Sequence, residues 1–352
     1  MTLSNPQLAP GVHFFERNES QIQIGINPSS AVIIDKQIGK QIFKLLSGNN
    51  SVDQICRELS RTGVTESSGE HFLIQLESLG LLTSGPTIQT YDDKNPVSGL
   101  QRLNLNRETV GSHQAMRRRI SCEIAIHGAG RLGTTLGLLL VSSGYPNVTM
   151  HDSQLVREDD LTPWGASRVD VGNRRDHTAR NLMERMIRGS SAHKNSLRFQ
   201  SQRRVEILLP DQRANFPWID ATSADAFAAK DISYLFAATS SSVAVVSSII
   251  TPGQQPCLRC LHLHRCDQDS AWPRIELQVA AHNAVDTAPI GLIIRTALVI
   301  QAALNRWIDA DLLDATQNSP SSLTQLSLLS SQDETYPTYF HPTCGCRLDL
   351  SG

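Results

Sequence analysis

Two stretches of this sequence set chemistry-bearing residues at short spacing. The first is a pair of cysteine clusters, Cys257-Leu-Arg-Cys260 and Cys344-Gly-Cys346. A tetrahedral zinc ion takes four soft ligands, and two close cysteine pairs on tight turns supply them. The spacing of the second pair is tighter than a CxxC knuckle, and Gly345 lets the backbone turn sharply. Two disulfides or unpaired thiols are the alternatives. Zinc is the stronger reading on ligand count and in a reducing cytosol. With four cysteines filling four positions, the site is closed and structural, and His341 is an alternative to one of them. His262, His264 and Cys266 follow the CxxC closely. The alternation of Leu-His-Leu-His puts both histidines on one face of a short element, so no second metal is read there. Cys56 and Cys122 read as small buried hydrophobes.

The second stretch is Gly128-Ala-Gly-Arg-Leu-Gly133, which follows a strand pattern and opens a helix pattern. In that context a GxGxxG loop cradles phosphate. Gly128 permits the tight turn, Gly130 admits backbone N–H groups to a phosphate, and Gly133 allows close helix–strand packing. The helix N-terminus offers unpaired donors to an anion. Asp152, ending the next strand, is placed to accept from ribose hydroxyls. The alternative is a Rossmann-type fold that keeps these glycines for packing alone.

After Asp152 the chain departs from a dinucleotide enzyme. The run Asp152-Ser-Gln-Leu-Val-Arg-Glu-Asp-Asp-Leu-Thr-Pro-Trp164, followed by Asp170-Val-Gly-Asn-Arg-Arg175, resembles the ThiF/MoeB/HesA group of the ubiquitin-activating-enzyme superfamily. The family pattern reads Asp-x-Asp-x-Val-x-x-x-Asn-Leu-x-Arg-Gln, then Asp-Val-Gly-Lys. Asp152 matches its first aspartate, Asp160-Leu161 its Asn-Leu, and Gly172 the glycine before its lysine. With the cysteine pairs, the likeness covers residues 121–348. It implies an enzyme that uses ATP and magnesium to adenylate the C-terminal carboxylate of a small protein or peptide.

Several family positions are altered. Pro163 stands in the place of the phosphate-binding arginine and Asn173 in the place of the lysine, although Arg174 and Arg175 are near enough to substitute. Where the family has a magnesium-binding aspartate, this chain has Ala237-Ala-Thr-Ser-Ser-Ser242 and no carboxylate. It then runs almost directly to Pro256-Cys257, so a helix and strand usual in the family are expected to be missing. Adenylation depends on electrostatic stabilisation of the transition state, and each such group contributes about 2–4 kcal/mol. Losing three of them points to a protein with weak or lost adenylation.

The elements that must carry these residues are a strand through Ile124 and Ile126, an apolar helix over Leu132 to Val141, and a second strand, Val148-Thr-Met-His-Asp152. They form a βαβ unit. A later strand is expected at Asp231-Ile-Ser-Tyr-Leu-Phe236, and Ile290 to Leu304 reads as a buried helix. Arg117-Arg-Arg119 reads as a solvated face, and the serine-rich stretch 319–331 as a loop or edge strand. The fold class is α/β: a ThiF-like Rossmann-type sheet with a C-terminal zinc knuckle, plus a small N-terminal winged-helix-like α+β domain. The expected boundaries are 1–84 for that domain, 85–120 for a linker and connecting helix, and 121–352 for the nucleotide-binding body.

In the N-terminal domain, Gln21-Ile-Gln-Ile-Gly-Ile26 and Ala31-Val-Ile-Ile-Asp35 read as a hairpin around Asn27-Pro-Ser-Ser30. Three helical patterns follow. One carries Ile38, Ile42, Leu45 and Leu46. The second is capped by Ser51, and the third ends at Gly80. Asp35, Leu46-Ser-Gly48, Ser51-Val-Asp-Gln-Ile55 and Leu79-Gly-Leu-Leu82 make the module similar to PqqD and related peptide-recognition elements. A structural appendage or a DNA-binding wing is the alternative. Lys40, Lys44, Arg57 and Arg61 form no dense basic face for phosphate contacts.

The whole chain has 352 residues, 40% hydrophobic and 19% charged, with a formal net charge of -2. This composition gives no global field toward nucleic acid or anionic membranes. No signal peptide or membrane span is read, so the expectation is a cytoplasmic protein, and a homodimer. Two functions compete. One is a protein that grips a leader peptide by β-augmentation and presents it to a partner modifying enzyme. This resembles the ThiF-like proteins that accompany YcaO enzymes in azoline formation. The other is an active adenylyltransferase. An NAD-dependent oxidoreductase, a weaker third, has no catalytic dyad to support it.

Overall fold

The computed structural model describes residues 5–9, 12–26, 31–84, 118–187, 203–211, 220–281, 287–309, 321–328 and 332–347. The expected turn at 27–30 and residues 85–117 of the expected linker lie outside these residues. The chain divides into two compact units, Met1–Met116 and Arg117–Gly352.

The N-terminal unit has a three-stranded antiparallel sheet of β2 (Phe14–Glu16), β3 (Gln21–Ile24) and β4 (Val32–Asp35). A two-stranded ribbon joins β1 (Pro6–Leu8) to β5 (Leu82–Ser84). Helices α1 (Lys36–Leu45), α2 (Val52–Ser60) and α3 (Glu66–Ser78) follow the order the sequence suggests. Their starts are set by side chains that satisfy orphan N–H groups. Asp35 accepts from Gln37 and Ile38, Ser51 and Gln54 form a capping box, and Thr65 accepts from Ser68. Ile24, Ile42, Ile55, Leu59, Leu73 and Leu76 form the core. Strands β1, β2 and β5 were not expected. Each has only three residues, too few to show a period.

The second unit is built on a seven-stranded mixed sheet. Four parallel strands lie in the order β7 (Val148–His151), β6 (Cys122–His127), β8 (Arg203–Leu208) and β9 (Ser233–Thr239). Strands β10 (Val243–Ser247), β11 (Ser322–Ser327) and β12 (Glu334–Pro337) extend it antiparallel. Helices α4 (Arg131–Ser142) and α9 (Ile290–Asp309) share one core with Ile124, Ile126, Val205 and Ile207. Leu208, Tyr234 and Phe236 meet Leu258 in another. β9 turns directly into β10 through Ser240, whose N–H donates to Val243 O at 2.8 Å. No crossover helix separates these strands, as expected, but the stretch that was expected to lack a strand as well holds β10.

Arg118 and Arg119 correct one expectation. Arg118 Nη1 donates to Ile308 O at 3.0 Å, and Arg119 is buried with its guanidinium 5.8 Å from the Tyr145 ring centre. The pair is tied into the fold and is not a solvated face. Among the described residues, no helix is long and apolar enough to cross a membrane.

Candidate functional site

β6 and β8 are neighbours, and the connection leaving β6 runs to β7 on one side while the one leaving β8 runs to β9 on the other. This is a topological switch point, where open α/β sheets bind ligands. Gly128 sits there at φ +112°, and a Cβ on it would lie 2.0 Å from Leu209 O. A Cβ on Gly133 would lie 1.8 Å from Gly128 O. Close packing therefore demands both glycines. A Cβ on Gly130 would be held off only by Asp160 Oδ1 and Asp211 Oδ1, each at 3.8 Å. Gly130 is thus the glycine that faces the site. Asp152 holds this loop, with Oδ2 accepting from Ala129 N at 2.8 Å and Oδ1 from Gln154 N at 2.9 Å. Each oxygen keeps a further lone pair for a ligand donor.

Arg175 opens helix α5 (Arg175–Ile187) and reaches into the space before Gly130. Its Nε donates to Asp160 Oδ2 at 2.8 Å and its Nη1 to Asp211 Oδ1 at 2.8 Å. Asp152 Oδ2 is 3.7 Å from the same Nη1. Burial disfavours the guanidinium charge, but the Asp160 hydrogen bond and the charges of Asp211, Asp160 and Asp152 outweigh it and raise the pKa. Arg174 is more exposed and is paired with Asp176 at 2.8 Å. Pro163 and Asn173 are exposed and are not among the residues lining either cavity at the loop.

Asp211 is the site residue that sequence reasoning missed. It follows β8 as Leu209-Pro-Asp211, and it lines both cavities beside the loop. Gln154 Nε2 donates to its Oδ2 at 2.5 Å. The signal was a carboxylate just past a parallel strand that neighbours the glycine strand. On the other side of β6, buried Glu206 bonds His127 Nε2 at 2.6 Å, and His127 stacks on His151 at 5.0 Å.

The four cysteines come together. Cys257 caps helix α7 (Leu258–Gln268), Cys260 lies in its first turn, and Cys344 and Cys346 flank Gly345 at φ +69°. Sulfur separations are 3.9 Å for Cys257–Cys260, 3.4 Å for Cys257–Cys344 and 3.3 Å for Cys260–Cys346. Zn–S bonds of about 2.3 Å at tetrahedral angles place sulfurs about 3.8 Å apart. The cluster is thus near the spacing a metal requires. The N–H of His341 points at Cys260 Sγ, 3.3 Å away, which supports a thiolate.

The His341 ring faces away from the cluster, so it replaces no cysteine. Thr343 N donates to its Nδ1 at 3.2 Å, and Nε2 lies 2.9 Å from Asp267 Oδ2. That fixes the proton on Nε2. His264, Asp267 and His341 are close enough to hold an ion, but this tautomer ties His341 to Asp267 by a hydrogen bond, with His264 edge-on to the His341 ring at 4.7 Å. The expectation that His262 and His264 share a face is corrected. They lie on α7, where residues two apart diverge. His262 meets Cys266 and Glu276, and His264 meets Tyr339 O.

Neither a family profile nor a curated protein sequence matches this chain. Solved structures do share its fold. E. coli MccB, solved with AMPCPP and MccA, superposes with a TM-score of 0.65 at 13% identity, over 97% of this chain and 98% of that one. The microcin C7 biosynthetic enzyme MccB in complex with N-formylated MccA gives 0.62 at 12% identity, over 97% and 99%. The heterocyclase TruD gives 0.57 at 12% identity, where 98% of this chain covers 43% of TruD. The chain therefore shares a Rossmann-like α/β fold with MccB, as the sequence suggested.

Proposed function

We propose that this protein binds a leader peptide through its N-terminal PqqD-like unit and presents it to a partner modifying enzyme, with weak or lost adenylation in the ThiF-like body. The YcaO type of enzyme is the partner that fits. The domain limits are 1–84 and 121–352, the four cysteines hold structural zinc, and the assembly is a homodimer. Gly128, Gly130, Gly133 and Asp152 form the nucleotide end of the body. The observation that carries the loss of chemistry is the Arg175 clamp. Of the two arginines that could serve in the lysine's place, Arg175 is the one that lines the space at Gly130, and Asp160 and Asp211 already engage it at 2.8 Å. Peptide binding is supported by the likeness to MccB over nearly the whole of both chains, since MccB is solved with MccA.

One observation favours the alternative of an active adenylyltransferase. Asp211 supplies a carboxylate at the loop that Ala237–Ser242 lacks, and Arg174 and Arg175 stand beside it. The presenting reading is tested by titrating the full-length protein with a candidate precursor peptide. Saturable binding without ATP, and peptide modification only when the partner enzyme is added, are expected. Peptide turnover by the protein alone with ATP contradicts the reading.

A further inference from the structure

We propose that the cleft at the glycine loop selects an uncharged nucleoside, and that the adjoining phosphate place is closed to a polyphosphate tail. This rests on the nucleotide half of the proposed function and reverses the charge preference usual for a glycine loop at a helix N-terminus. Two independent observations carry it, one of room and one of charge.

The space before Gly130, bounded by Asp160, Arg175 and Asp211, is only about 30 Å³. At roughly 15 Å³ for each water centre, it takes about two waters and no phosphate chain. The neighbouring cleft over Gly128, Asp152 and Gln154 is open and measures about 500 Å³, which is within the usual range of small-molecule sites.

The charges agree. Three arginines line the phosphate place (Arg131, Arg157, Arg175), against three aspartates (Asp159, Asp160, Asp211). Arg175, the buried one, is held by two of those carboxylates. The open cleft is lined by Asp152, Asp176 and Asp211 and by Arg174, which is paired with Asp176, while Arg175 engages Asp211 from the phosphate place. Carboxylates accept hydrogen bonds from ribose hydroxyls but repel phosphate oxygens. A neutral nucleoside matches this surface, whereas a triphosphate would have to pass the carboxylates of the cleft into a charge-balanced space too small to admit it.

Calorimetric titration of the full-length protein with adenosine, AMP and ATP, with and without magnesium, tests this. Adenosine is expected to bind at least as tightly as ATP in both conditions. Asp211→Ala removes one carboxylate and with it the 2.8 Å partner of Arg175 Nη1, and it should shift the ATP-to-adenosine affinity ratio toward ATP by at least tenfold. ATP binding the wild-type protein tenfold more tightly than adenosine overturns the proposal and leaves the nucleotide reading standing. An unchanged ratio in a folded Asp211→Ala protein also overturns it. If that variant does not fold, the wild-type order alone decides. Binding of none of the three ligands removes the nucleotide reading itself, and this proposal with it.

Discussion

Arg175 and Asp160 form a buried ion pair, with Nε and Oδ2 2.8 Å apart and side chains only 3% and 4% exposed. The two residues are fifteen positions apart, and their pairing fastens the start of α5 to the loop after β7. Removing one partner of such a pair strands the other charge, which costs about 3–5 kcal/mol. Arg175→Ala is therefore expected to lower unfolding stability by about that amount in urea titrations. A loss below about 1 kcal/mol would show that Asp160, Asp211 and Asp152 tolerate one another without the guanidinium.

The cysteine cluster is expected to hold about one zinc per chain. Cys260→Ser should lose the metal and lower the melting temperature, because structural zinc contributes folding energy directly. Burial pushes the Cys346 thiol up to about 11 and raises Cys344 as well. Zinc must therefore displace protons from these thiols, and its affinity should fall as pH falls. Elemental analysis that finds no zinc in folded protein would sink this assignment.

His151 gives a smaller, signed effect. Burial and the neighbouring His127 imidazole lower its pKa from 6.5. Between 6.5 and that lowered value, the unfolded chain holds a proton that the folded chain does not. Stability therefore declines as pH drops through this window. His151→Gln should flatten the acid limb of the melting temperature against pH, by a small amount because the ring is largely exposed. Parallel limbs for the two proteins would contradict the shift.

Residues 1–84 should fold alone, with a cooperative melt, and bind peptide in preference to DNA. Ser51→Ala breaks the capping box with Gln54 and should cost the unit about 1 kcal/mol. Tight duplex binding with a steep salt dependence would replace the peptide reading with a DNA-binding one.

What could be read from the sequence was local. The glycine loop, Asp152 and the cysteine pairs announce themselves by spacing within a few residues, and the helix caps at Asp35 and Ser51 do the same. Arg175 was noticed only as a substitute for the lysine, because its partners Asp160 and Asp211 lie 15 and 36 positions away and only the fold brings them together. Asp211 has no motif of its own. The alternation of Leu261-His-Leu-His264 suggested one shared face, but these residues continue the helix that Cys257 caps. β11 was legible only as a serine-rich loop or edge strand. Its pairing with β10 on one side and β12 on the other fixes it as an interior strand of the sheet.

The most direct test of the account is ATP:pyrophosphate exchange by the full-length protein with excess precursor peptide. Holding a ground-state ligand does nothing for the barrier, so exchange should stay near background whether or not a nucleoside binds. Exchange on the order of one turnover per second, the low end of ordinary enzyme rates, would contradict the loss of adenylation and make Arg174 and Arg175 the first residues to mutate.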